Sequence, residues 1–200
     1  MPSLGNAESP MQKSGGNKTV LVIVGMPGAG KSLASSVLKK GGIKVFASGD
    51  IIRAEARRRK LKFTRKNLGE LMIKLRKEEG MGAVAKRLIP LVEETRGGVV
   101  VYEGARSVEE VEELRQRFRV VTLAIHASGG ARFQRLQRRG RSDRPRRWED
   151  FVERDNRELG VGIGKLIALA DRTVENEDSK EDLKRRMKRL LKTVLSTRKS

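Results

Sequence analysis

Four short runs rich in Val and Ile, at 19–24, 44–47, 99–102 and 120–125, have little polar alternation and read as strands buried on both faces. A weaker fifth run lies at 172–174. Between the runs the apolar positions change to helical spacing. Leu68, Leu71, Met72 and Leu75 keep the i, i+3, i+4, i+7 pattern of one helix face. Val108, Val111, Leu114 and Phe118 repeat it after Ser107, with Glu110 placed to complete a capping box. Leu183, Met187, Leu190, Leu191, Val194 and Leu195 predict a closing amphipathic helix docked on the domain. Its other face carries Lys184, Arg185, Lys188, Arg189 and Lys192, which are expected in water. Strands alternating with helices predict an α/β fold, a three-layer sandwich around a five-stranded parallel sheet.

Residues 1–17 offer Pro, Ser, Gly and Asn without an apolar period and are expected to form a flexible tail, leaving one domain over 18–200. That start lacks the basic opening and apolar middle of a signal peptide. No run approaches the roughly 20 apolar residues of a membrane span. A cytoplasmic protein with no membrane partner is the expectation. The 156–164 run, NRELGVGIG, reads as a flexible connection, and Trp148 and Phe151 as core anchors for the helix before it.

Composition narrows the chemistry. The chain has no cysteine, which excludes disulfides, thiolate catalysis and thiolate-held metals, and His126 is its one histidine. The formal net charge is +20, and it is uneven. Residues 53–66 hold eight basic and one acidic residue, 132–157 hold ten arginines against five acids, and 180–200 hold nine basic and two acidic residues. Concentrated positive charge of this kind attracts polyanions such as nucleotides, phosphorylated metabolites and RNA.

The run from Gly25 to Ser32, GMPGAGKS, fits G-x-x-x-x-G-K-[ST] and lies between a predicted strand and a predicted helix. Backbone N–H groups of Gly25, Gly28, Ala29 and Gly30, continuing to Leu33, would cradle phosphates at a helix N-terminus. Lys31 would reach the β- and γ-phosphates, and Ser32 would supply a hydroxyl to Mg²⁺. ATP and Mg²⁺ are the expected cofactors.

Two further segments follow strands, where ligands collect on an open α/β sheet. Ser48-Gly-Asp-Ile-Ile-Arg53 resembles the T-G-D-x-[LI]-R segment of adenylate kinases, and Tyr102-Glu-Gly-Ala-Arg106 resembles their D-G-F-P-R segment, shortened by one residue and with Glu103 in place of aspartate. By that resemblance Arg53 and Arg106 hold an acceptor phosphate and Gly104 allows close approach of backbone. Asp50 serves as a catalytic or metal-side carboxylate, and Glu103 as a metal-side one; the plain alternative for Asp50 is a cap on a helix starting at Ile51. A third segment, about 138–157, matches the position of an arginine-rich lid. Arg141 is its catalytic candidate, Arg135 and Arg139 are nucleotide contacts, and Arg154 and Arg157 face phosphates together or else pair with Glu153, Asp155 and Glu158. Asn176 is placed to touch the nucleotide base. His126 is expected to be a structural hydrogen bonder.

Together with KEEGMGAVAKR, AIHASGGARFQRLQRRGR and IALAD, these segments are similar to an archaeal adenylate-kinase-related P-loop family, nucleoside-monophosphate-kinase-like and of unassigned activity. The resemblance implies ATP-dependent phosphoryl transfer to a nucleoside monophosphate or similar small phosphorylated acceptor, with the acceptor-side helices over about 50–96. The alternatives are a dephospho-coenzyme A-type kinase with a hydroxyl acceptor and a nucleic-acid- or ribosome-associated ATPase. The second is the less favoured because aromatic residues for base stacking are scarce.

Overall fold

The computed structural model describes residues 18–139 and 144–196. The expected tail and the lid candidate Arg141 lie outside them. Five parallel strands form one sheet in the order β2-β3-β1-β4-β5: β1 Thr19–Val24, β2 Lys44–Ala47, β3 Val99–Glu103, β4 Arg119–His126 and β5 Arg172–Glu175. The sheet is therefore the parallel α/β sheet that the run pattern predicts. Three strands outlast their apolar runs because pairing continues to Glu103, His126 and Glu175, whose side chains sit at the carboxyl edge.

Alternate residues of the central strands feed two separate cores. Val20, Val22, Val24, Val100 and Tyr102 face one layer. That layer contains helices α2 Ser48–Arg58, α3 Arg65–Glu79, α4 Ala83–Glu94 and α5 Val108–Arg115, with Leu71, Leu75 and Leu88 buried in it. Leu21, Ile23, Val101, Leu123 and Ile125 face the other, against α1 Lys31–Lys40 and the closing helix. Each fully buried aliphatic side chain contributes roughly 1.5–3 kcal/mol, so the two-sided sheet fixes strand register firmly. Helices α6 Gly129–Arg138, α7 Trp148–Val161, α8 Ile163–Ala168 and α9 Lys180–Ser196 complete the chain.

Four expectations are corrected. The 156–164 run is not a loose connection: α7 continues to Val161, and only Gly162, at φ +108°, breaks it from α8. Trp148 is 46% exposed rather than a core anchor, and Phe151 alone is buried. Ser107 is the N-cap of α5 without a side-chain capping bond. Glu110 turns inward instead, accepting hydrogen bonds from the Tyr102 hydroxyl at 2.5 Å, from Arg76 at 3.2 Å and from the Arg106 N–H at 3.3 Å. Helix α2 begins at Ser48, so Asp50 stands within its first turn and does not cap it.

The central strand β1 lies between β3 and β4, and the chain leaves it in one direction toward β2 and crosses it from β3 to β4. Its carboxyl end is thus the topological switch point, where the loops diverge and a crevice opens.

Candidate active site

The 25–32 loop runs from this switch point into α1. Gly30 takes φ +110°, and a Cβ there would collide with the Asn176 amide, so the turn requires glycine. Lys31 folds back over the loop, donating from Nζ to the carbonyls of Gly25 at 2.6 Å and Met26 at 3.2 Å. Burial lowers its pKa to about 8, assisted by the positive charges of Arg106 and Arg139 and opposed by Glu103 and Glu158. Charges from both flanks of the loop therefore meet at this ammonium.

A cavity of about 490 Å³ opens beside the loop, lined by Gly30, Lys31, Ser32, Arg135, Arg139 and Asn176 among others. Arg135 donates to the Asn176 carbonyl at 2.7 Å, while its buried Nη1 has no hydrogen-bond partner among the described residues. Asn176, expected at the base, is itself buried and donates from Nδ2 to the Ala29 carbonyl at 2.7 Å. Its N–H donates to the His126 carbonyl at 2.7 Å, so it ties β4, β5 and the phosphate loop together at the wall of the cavity.

On the other side of the loop, the Ser32 hydroxyl donates to Glu103 Oε1 at 2.8 Å. A hydroxyl and a carboxylate in contact at the start of α1 are two hard oxygen donors, a set that suits Mg²⁺ once phosphate oxygens and waters complete the octahedron. Among the described residues no cluster of three or more His, Cys, Asp or Glu could hold a metal unaided. Asp50 is mostly exposed and accepts from Arg53, one turn along α2, whereas Ser32 and Glu103 bond to each other. Gly104, at φ +96°, brings the end of β3 against the start of α2: a Cβ there would come within 2.8 Å of Ser48 Oγ. Arg106 projects from the same turn and forms an ion pair with Glu158 of α7.

The remaining lid candidates separate. Arg157 is 61% exposed and faces Glu153 at 3.9 Å, and Arg154, partly buried, also has electrostatic partners. Neither lines the cavity. The arginine that sequence spacing did not single out is Arg132. It is buried and bidentate to Asp155 at 2.9 and 2.6 Å, donates to the Pro27 carbonyl at 3.2 Å, and lies 4.8 Å over the Phe151 ring. Its only sequence signal was its place at an inward position of α6, four residues before Leu136.

With this geometry in hand, comparison with known proteins places the chain. The sequence profile of the AAA domain matches residues 24–152. The UPF0200 protein of Pyrococcus horikoshii is 46% identical over 162 residues, covering 78% of this chain and 87% of that protein. The chain belongs to the UPF0200 family. Its counterpart in Hyperthermus butylicus is 43% identical, covering 82% of this chain and 88% of its own length, and that of Methanocaldococcus jannaschii 46%, covering 78% and 81%. Among solved structures, TT1252 from Thermus thermophilus superposes with a TM-score of 0.67 at 20% identity, over 90% of this chain and 97% of its own. Shikimate kinase from Bacteroides thetaiotaomicron gives 0.61 at 18% identity, over 87% and 98%. The UPF0200 fold is thus a P-loop kinase-like α/β sandwich. No helix among its described residues is long and apolar enough to cross a membrane.

Proposed function

We propose that this UPF0200 protein transfers the γ-phosphoryl group of ATP to a small phosphorylated acceptor, such as a nucleoside monophosphate. One observation carries the reading: Arg106, paired with Glu158, stands on the β3 side of the phosphate loop, while Arg135 and Arg139 line the cavity on its other side. Cations converging from opposite flanks suit a transition state whose charge spreads over the transferred group between two bound phosphates.

In this reading the triphosphate lies along Gly25, Gly28, Ala29, Gly30, Lys31, Ser32 and Leu33, with its nucleoside toward Arg135, Arg139 and Asn176. Mg²⁺, held by Ser32 and Glu103, would neutralise charge on the β- and γ-phosphates. The acceptor phosphate is bound by Arg53 and Arg106, each of which now holds a carboxylate in its place. A phosphate acceptor is already anionic and needs no general base, so Asp50 orients Arg53 rather than abstracting a proton. Arg154 and Arg157 take surface roles.

The structural likeness to shikimate kinase, whose name denotes action on shikimate, keeps a hydroxyl acceptor in the same test. Incubation with γ-labelled ATP and a panel of mononucleotides, dephospho-coenzyme A and shikimate should label a mononucleotide. Label on a hydroxyl acceptor alone would replace this reading, and hydrolysis without transfer to any acceptor would refute it. Lys31→Ala should abolish the labelling in a protein that still folds.

A further inference from the structure

Helix α9 is two-faced. Leu183 and Met187 are fully buried and Leu190 and Leu191 partly so, packed with α1 against the second core. The opposite face carries Lys184, Arg185, Lys188, Arg189 and Lys192, which line a shallow cavity of about 410 Å³ together with Glu181. Only the first turns of this face are neutralised. Lys184 pairs with Glu181 at 3.2 Å, and Arg185 with Asp182. Lys188, Arg189 and Lys192 have no ion pair among the described residues. Lys184, Lys188 and Lys192 form one row with a rise of about 6 Å between neighbours. Like charges four residues apart on a helix repel, so Lys188 and Lys192 are a local cost that this fold leaves uncompensated.

The positive field continues past the helix. Arg189 also borders a cavity of about 460 Å³ shared with Thr173, Val174 and Glu175 of the edge strand β5. Gly41, which ends α1, packs on Leu191, so the exposed Lys39 and Lys40 stand beside the other end of α9.

We propose that the outer face of α9 docks the phosphate backbone of double-helical nucleic acid. The unpaired cations Lys188, Arg189 and Lys192 complement a run of phosphates, which such charges bind by releasing counterions. A membrane surface fits less well, because an interfacial helix buries an apolar face in lipid and the apolar face of α9 is already covered by the domain. Single strands are ordinarily gripped by aromatic stacking, and the outer face of α9 has no aromatic residue. The surface lies outside the phosphate-loop cavity and does not depend on the phosphoryl acceptor.

The test is fluorescence anisotropy of a labelled DNA duplex and an RNA duplex of equal length, titrated with the full chain at several salt concentrations. Lys188→Gln, Arg189→Gln and Lys192→Gln combined should weaken binding and lower the log–log salt slope on the DNA by about 2.7, at roughly 0.9 per lost phosphate contact. These positions are outward-facing and their like charges repel, so thermal melting should be unchanged or slightly raised, which separates lost contacts from lost fold. Arg57→Gln, Lys62→Gln and Lys66→Gln combined remove equal charge elsewhere and should leave the slope within about one contact of the original. The proposal is overturned if neither duplex binds at low salt, if the α9 variant keeps the original slope, or if both triple variants lose it equally. Binding to anionic phospholipid vesicles that exceeds duplex binding and vanishes in the α9 variant would also overturn it.

Discussion

Glu158 of α7 and Arg106 at the carboxyl end of β3 form an ion pair beside the phosphate loop. The pair is partly sheltered, with the arginine side chain 31% and the carboxylate 15% exposed. In the proposed reading, an acceptor phosphate on Arg106 must displace Glu158 from that guanidinium. Glu158→Gln should tighten a phosphorylated acceptor by about fivefold, equivalent to roughly 1 kcal/mol for a partly exposed ion pair. ATP affinity should hardly change. Arg106→Ala and Arg53→Ala should weaken the acceptor far more than ATP. Calorimetry with each ligand separately decides this, and equal losses for both would reject two distinct sites.

Lys31 should set a pH limit on nucleotide binding. Its pKa is lowered from 10.5 to about 8 by burial, so the free protein holds a neutral amine above that pH. A triphosphate favours the ammonium. ATP affinity should therefore be flat below pH 8 and fall about tenfold per pH unit above it, until the bound-state pKa is reached. Proton uptake should accompany binding at pH 9, measurable by calorimetry in buffers of different ionisation enthalpy. The same shift penalises the ligand-free fold below pH 8, and the penalty fades as pH rises toward 10.5. Lys31→Met should consequently raise the melting temperature at pH 7 and lose that advantage in alkali.

Much of this arrangement is visible in the sequence, for a physical reason. Strands buried on both faces must be apolar throughout, so β1, β3 and β4 announce themselves, and a phosphate cradle needs glycines at fixed positions. Charged side chains are different. Arg106, Arg132 and Arg157 look alike along the chain, yet one faces the loop, one is buried and one lies on the surface, because helix phase and partners decide. Glu110 shows the same limit. Its spacing from Ser107 matches a capping box, but the buried Tyr102 hydroxyl, the Arg76 guanidinium and the Arg106 N–H draw the carboxylate inward instead. The 156–164 run misled because its glycines suggest a loop, whereas only Gly162 needs a left-handed conformation there.

Glu55 ties α2 to α4. Arg58 of its own helix and Arg59, the C-cap of that helix, donate to it at 2.7 and 2.6 Å, and Arg87 of α4 reaches it at 3.5 Å while also holding Glu79 at 2.7 Å. Hydrogen bonds from Arg58 first, then from Arg59 and Arg87, outweigh its burial and hold its pKa at about 2. A depressed carboxylate pKa contributes stability that is present above pH 4.5 and lost as pH falls toward 2. Glu55→Gln should cost roughly 2 kcal/mol at pH 7, since three guanidinium groups lose their common acceptor. The gap between variant and wild type should close by about pH 2. Denaturant melts at both pH values measure it, and a gap that persists in acid would show that packing, not charge, makes the contribution.

Arg132 makes the most consequential structural bond that spacing alone did not reveal. Its guanidinium joins the Pro27 carbonyl in the phosphate loop to Asp155 in α7, and its Nε donates to the Ala127 carbonyl at 3.2 Å. The side chains of Arg132 and Asp155 are 10% and 14% exposed, so removing one leaves the other charged and poorly solvated. Arg132→Ala should cost about 3–5 kcal/mol, the range for breaking a buried pair. Lysine restores the charge but has no planar fork, so it cannot bridge a carbonyl and a bidentate carboxylate together. Arg132→Lys should therefore recover only part of the stability. Both variants free Pro27, and ATP affinity should fall several-fold even in the fully folded population, because the loop then orders only when nucleotide binds. Denaturant titration gives the stability, and calorimetry well below the melting temperature gives the affinity. A folded Arg132→Lys protein that binds ATP as tightly as wild type would mean that the phosphate loop holds its shape without this strut.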